Sequence, residues 1–190
     1  VDAFNQLQPA PLHPRVQRTK AHVLSVARKM LAEVGPAELT YTALCATSGV
    51  TRQTLYRHWP TREALLAEIV LTAADVAYPR PGSDAGAVVT EYLHSLRSGM
   101  NDPSTAAALT SLAAHASTDP ASDNALRTIV ADRLAALNAL LTGAGREVDP
   151  SQFAQLAGPV IFQRLIARVE PTDSFIQTLV ANWLAVPSAK

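Results

Sequence analysis

Thr40-Tyr41-Thr42-Ala43-Leu44-Cys45-Ala46-Thr47-Ser48-Gly49-Val50-Thr51-Arg52-Gln53-Thr54-Leu55-Tyr56-Arg57-His58-Trp59-Pro60 is the stretch on which the reading of this chain turns. Thr40 can cap a short helix over Tyr41 to Thr47, and Thr51 a second over Arg52 to His58, with Ser48-Gly49-Val50 between them. Helices of about two turns do not stand alone in water, so both need packing to hold them. Gly49 can supply the positive φ that ends the first helix, and Leu44, Val50 and Leu55 a small core. With Leu55 and Trp59 turned inward, the helical period leaves Gln53 and Arg57 opposite, with Thr54 and Tyr56 on the flanks. An arginine can donate two bonds to guanine, a glutamine can pair with adenine and a threonine methyl can touch thymine, so this outward set suits a major groove. On helix lengths alone, a plain helical hairpin with a polar outer face is the alternative.

Helical spacing continues on both sides. Upstream, Val23, Ala27, Met30, Leu31 and Val34 recur on one face until Gly35-Pro36 stops the run. Downstream, Trp59-Pro60 ends the second short helix, and Thr61 caps a longer one, expected to reach Ala77, with Leu65, Leu66, Ile69, Val70 and Ala73 on its apolar face. Three helices with a turn around Gly49 are the elements of a helix-turn-helix. Five more helices are expected beyond a boundary loop at 79–83: Asp84 to Met100, Ser104 to Ser117, Ser122 to Thr142, Ser151 to Val169 and Asp173 to Ala185. Asp102-Pro103, Asp119-Pro120, Gly143-Ala144-Gly145, Asp149-Pro150 and Glu170-Pro171 form the joints. The expected organisation is all-α: an arm over 1–14, a helix-turn-helix domain over 15–62, a connecting helix over 63–78, and a second helical domain over 79–190.

Composition supports this. Of 190 residues, 48 % are apolar and only 5 % aromatic, a mixture that favours packed helices over a β-sandwich. The single cysteine, Cys45, excludes an internal disulfide and a thiolate zinc site, and reads as a buried apolar filler. No leader and no membrane-length apolar run are visible, so a cytoplasmic protein with no membrane association is expected. The zero net charge conceals a dipolar layout: eight cations against three anions in residues 1–62, and eight against thirteen in the rest. One end is thereby suited to a polyanion. Arg15, Arg18 and Lys20 read as a solvated basic tail, with a DNA-reaching arm as the alternative.

Gly35-Pro36-Ala37-Glu38-Leu39-Thr40 and the run from Leu44 through Trp59-Pro60-Thr61-Arg62-Glu63-Ala64-Leu65 resemble the DNA-binding domain of TetR-family transcriptional regulators, over about residues 17–66. The Gly-Val-Thr turn and the Thr-Leu-Tyr-Arg-His-Trp stretch carry the likeness. The resemblance implies base contacts from Arg52, Gln53 and Thr54, phosphate or sugar contacts from Tyr56, Arg57 and His58, and a phosphate contact from Arg62. It places Tyr41 and Thr42 at the start of the helix that straddles the backbone. Without it, His58 reads equally well as a solvated surface histidine.

Downstream, the resemblance implies a helical domain that binds a small molecule and dimerises through its last two long helices, here within 151–185. Phe175, Ile176, Leu179, Val180, Trp183 and Leu184 form a broad apolar stripe, expected at a homodimer seam. Gly158-Pro159 is expected to kink the preceding helix and widen the space beside it. An apolar effector cavity is expected to involve Leu93, Leu96, Met100, Leu112 and Leu134, with Asn138 as the polar candidate, although such residues are also what a plain core looks like. No cofactor is expected. No nucleophile and base pair, carboxylate pair or phosphate-cradling loop is apparent, which argues against an enzyme. The leading reading is a dimeric DNA-binding regulator, a repressor released from a palindromic operator by a small apolar ligand. A helical scaffold or adaptor binding protein partners is the alternative.

Overall fold

The computed structural model describes residues 14–73 and 80–186. Among them all regular structure is helical. Helix α1 (Pro14–Glu33) buries Val23, Leu24, Ala27 and Leu31, most of the expected face, while Met30 is half-buried and Val34 lies past the helix end, 57 % exposed. It already opens at Pro14, and residues 1–13 of the expected arm lie outside the described residues. Three threonines then start three helices: α2 (Tyr41–Ser48), α3 (Arg52–His58) and α4 (Arg62–Leu71). The hydroxyls of Thr40, Thr51 and Thr61 accept from the backbone N–H of Ala43, Thr54 and Ala64 at 3.1, 3.2 and 3.1 Å. Gly49 closes α2 at φ 73°, in the left-handed region that favours glycine.

Helix α4 stops at Leu71, short of the expected Ala77, and 74–77 of that expectation lie outside the described residues. Side chains from elsewhere in the fold cap its last carbonyls. Arg28 of α1 donates to the carbonyl of Ile69 at 3.2 Å and to both the carbonyl and the hydroxyl of Thr72. From the other side, Arg133 donates to the carbonyl of Val70 at 2.6 Å. Helix-end carbonyls lack intrahelical partners, and here two distant arginines supply them. Nothing in the local sequence signals that stop.

The rest comprises α5 (Ala85–Asn101), α6 (Pro103–His115), α7 (Pro120–Leu141), α8 (Pro150–Ile161) and α9 (Asp173–Ala185). Helices α6, α7 and α8 begin one or two residues before their expected starts because Asp102, Asp119 and Asp149 are the caps and the prolines after them the first helical residues. Helix α8 runs on through Pro159, and the break falls later: Phe162–Ala167 widen into a π turn, ended by Arg168 at φ 58°. The helix expected to reach Val169 is therefore two pieces.

The apolar side chains form two cores. One joins α1 to α4 with Ala108 and Leu112 of α6 and Ala125 and Ile129 of α7, so the first four helices share their interior with part of the body. The other joins α5, the end of α7, α8 and α9. Ile176, Val180 and Trp183 are buried in this second core, with Arg146 stacked over the Trp183 ring at 4.4 Å. The stripe expected to line a dimer seam is thus largely turned into the subunit.

Candidate nucleic-acid interface and effector cavity

Leu55 and Trp59 are buried, which fixes the roll of α3 and leaves Arg52, Gln53, Tyr56 and Arg57 exposed, with Thr54 and His58 half-buried beside them. Two pairs tie this face to α2: the Arg52 guanidinium donates to the Thr42 hydroxyl, and the Tyr56 ring meets Tyr41 edge-on with centroids 5.0 Å apart. The side chains expected on bases and those expected on the backbone therefore form one continuous surface. Thr54 also shares a 3.0 Å hydroxyl contact with Thr51, which orients it from the cap.

Not every expected contact residue faces outward. Tyr41 donates its hydroxyl proton to the Trp59 carbonyl at 2.7 Å, and burial, with Glu63 and Tyr56 nearby, pushes its phenol well above the ordinary range. A proton held there is not available to a phosphate oxygen, so in this arrangement Tyr41 fixes the exit of α3. Arg62, expected on a phosphate, turns inward: Nε donates to the Leu39 carbonyl at 3.0 Å and a terminal nitrogen to the Pro36 carbonyl. It binds the loop between α1 and α2 to the start of α4. His58 has its imidazole held below the ordinary 6.5 by desolvation, then by Arg57 and Lys20, with Glu68 pulling the other way.

Sequence reasoning missed the support beneath this face. Glu68 of α4 accepts from the Trp59 indole at 2.7 Å and pairs with Lys20 at 2.8 Å, while Lys20 also lies over the Trp59 ring at 5.6 Å. Lys20 is consequently part of the head's packing, not of a tail. Glu68 lies three positions after Leu65 in a run of core residues, and its pairing partners are remote in sequence, so no local pattern marks it.

A cavity of about 130 Å³ opens where α4, α5, α6, α7 and α8 meet. Leu96 and Met100 line it as expected. Leu93 and Leu112 are fully buried core, and Leu134 packs against the second core. Asn138 closes a loop: its amide accepts from the Val148 N–H at 2.8 Å and donates to the Val148 carbonyl at 2.9 Å. The polar side chains at the cavity are instead Tyr92, Ser95, Thr105 and Arg133. Tyr92, Ser95, Leu96 and Gly99 share one helical face, a spacing visible in the sequence; Val70, Leu71 and Ala73 join them from the end of α4, which it does not show. Among the described residues no cluster of three His, Cys, Asp or Glu could hold a metal ion.

A helix-turn-helix face on an all-helical body defines a DNA-binding transcriptional regulator. Residues 23–69 match the family model described as bacterial regulatory proteins, tetR family, and residues 89–182 the one described as tetracyclin repressor-like, C-terminal domain. The chain belongs to the TetR family. It is similar to the crystal structure of the TetR family transcription regulator SCO0332, with 28 % identity, TM-score 0.72, and coverage of 90 % of this chain and 99 % of that one. The fold is also shared with Salmonella enterica GusR (24 % identity, TM-score 0.60, 87 % and 93 % coverage) and with the multidrug binding protein EbrR complexed with imidazole (18 %, 0.60, 89 % and 96 %). No curated protein matched. At the level of the family, the chain is a regulator and not an enzyme. Among the described residues no helix is long and apolar enough to cross a membrane.

Proposed function

We propose that this protein is a homodimeric repressor that leaves a palindromic operator when a small, mainly apolar ligand occupies the cavity. One observation carries the ligand reading: the end of α4 forms part of the cavity wall while the same helix end is held by Arg28 from the head and Arg133 from the body. A ligand that displaces Val70 or Leu71 thereby moves the element into which α3 leads. Arg52, Gln53 and Thr54 read bases, and Thr42, Tyr56, Arg57 and His58 hold the sugar-phosphate backbone. The seam lies within 151–185, where Phe162, Ile166 and Val169 are 57, 69 and 55 % exposed, an apolar surface that a second copy would cover. The protein acts in the cytoplasm.

Selection of bound sequences from a random duplex pool tests the reading. Enrichment of a two-fold symmetric site, with affinity falling steeply as salt rises, is expected. Recovery of no preferred sequence, or of a single half-site only, would reject a dimeric operator binder.

A further inference from the structure

The cavity has few polar groups, and all but one of them have hydrogen-bond partners. Thr105 donates its hydroxyl proton to the Asp102 carboxylate at 2.6 Å. Tyr92 donates to the Arg133 carbonyl at 3.3 Å, and burial pushes its phenol upward so that the proton stays. Arg133 itself donates to the Val70 carbonyl. Ser95 is different: its hydroxyl oxygen is shielded from water and has no hydrogen-bond partner. A helical hydroxyl commonly returns its proton to the carbonyl one turn back. Ser48 does so to Leu44 at 2.6 Å and Thr128 to Asn124 at 2.9 Å, whereas Ser95 does not. A buried hydroxyl left without a partner destabilises the fold unless something else satisfies it.

The shape of the cavity limits what that partner can be. Apolar cavities on the order of 150 Å³ hold a single benzene ring, and this one is about 130 Å³. Gly99, one turn beyond Ser95, is buried and lines the same cavity without a side chain. Leu96, Met100, Phe153 and Ile161 make the remaining wall apolar. Arg133, the one cationic side chain at the wall among the described residues, donates to the Val70 carbonyl and holds the end of α4, so a carboxylate would have to draw it off that helix end as well as shed its own water, at a large cost. The geometry points to an uncharged, one-ring ligand with one hydrogen-bonding substituent, a phenol in chemical class, whose hydroxyl bonds to Ser95. This assignment deepens the effector reading above and rests on it.

The test uses p-cresol and toluene, which share a ring and a methyl group and differ by the hydroxyl. Each is titrated calorimetrically into the full chain and into Ser95→Ala, without DNA. The preference for p-cresol over toluene should fall roughly fivefold to tenfold in the variant, the loss typical of one hydrogen bond. The unliganded variant should melt no lower than the parent, since alanine favours the helix and no bond is removed. An equal preference in both proteins would overturn the assignment to Ser95. Benzoate binding more tightly than p-cresol would overturn the uncharged class. If none of the three binds the parent protein, the cavity reading fails together with this inference. If both aromatics bind without discrimination by Ser95, only this inference fails.

Discussion

Arg52 and Gln53 are exposed at the start of α3, and their side chains match base edges in hydrogen-bonding capacity, so if α3 enters the groove as proposed, Arg52→Ala and Gln53→Ala should each relax base preference at one position of the bound site. Binding-site selection that returns the parent preference for both variants would take α3 out of the groove. Arg62 should behave differently because its guanidinium holds two carbonyls inside the head. Arg62→Ala should lower stability by about 2 kcal/mol, the scale for losing charge-assisted bonds to buried acceptors, and leave the salt dependence of DNA binding unchanged. A slope flatter by about one unit would instead put Arg62 on a phosphate. His58 gives a pH-dependent case. Desolvation, with Arg57 and Lys20 close by, keeps its folded-state pKa below the ordinary 6.5, so the free protein presents a neutral imidazole at neutral pH, and the proposed backbone contact would be that of a neutral donor. His58→Gln should therefore have the parent's salt slope at pH 7.5, and the parent should become steeper only on acidification through the lowered pKa. The unfolded chain holds that proton more tightly, so His58's contribution to stability is present above the ordinary pKa and lost as pH falls toward the folded one. A parent slope already steeper at pH 7.5 would show a charged imidazole at the phosphate.

Gly49 joins two helices too short to persist alone, and its φ of 73° sets the angle between them. No atom lies within 4 Å of where a Cβ would stand, so Gly49→Ala isolates backbone strain from steric conflict. A loss of about 1 kcal/mol is expected, with Gly49→Asn costing less because asparagine tolerates the left-handed region. Chemical denaturation of the three proteins measures this; no loss in the alanine variant would show that the turn has another conformation within easy reach. Elements whose boundaries are set by their own residues were legible beforehand. The three threonine caps, the Gly49 turn and α9, which spans Asp173–Ala185 as expected, follow from local chemistry. The stop of α4 did not, because the groups that satisfy its end come from Arg28 and Arg133. The cavity was half legible for the same reason. An apolar helical face is visible in sequence, but whether Leu93 lines a void while Leu96 packs in the core, or the reverse, depends on how neighbouring helices are placed. Asn138 shows the limit well: an inward amide reads as a ligand anchor until the Val148 backbone is found bonded to both of its ends.

Across the described residues, α7 contributes to both cores and α6 to the first, so the head cannot move without disturbing side chains such as Ala108, Leu112 and Ile129 that belong to the body. That continuity is what a coupled switch needs. The dimer must be tested without disturbing it. Trp183→Glu would place a charge in the second core and unfold the subunit, whereas Phe162→Glu changes an exposed side chain of the proposed seam. Phe162→Glu should give folded monomers by sedimentation that no longer retard a two-half-site duplex, and a variant that stays dimeric would remove the π turn from the seam. Two recognition helices acting together must stand about 34 to 36 Å apart, one duplex turn, or a small multiple of it. In the proposed release, a ligand against Val70 and Leu71 would act on that spacing through α4, and would do so only by binding the mis-spaced state better than the DNA-bound one. Linkage then runs in both directions: if ligand weakens operator binding by some factor, operator must weaken ligand binding by that same factor. Titrating p-cresol into the protein and into its operator complex should give the weaker affinity in the complex, by a ratio equal to the loss of operator affinity at saturating ligand. Equal ligand affinities in the two states would show a cavity that is filled but uncoupled, leaving DNA binding intact and the release mechanism refuted.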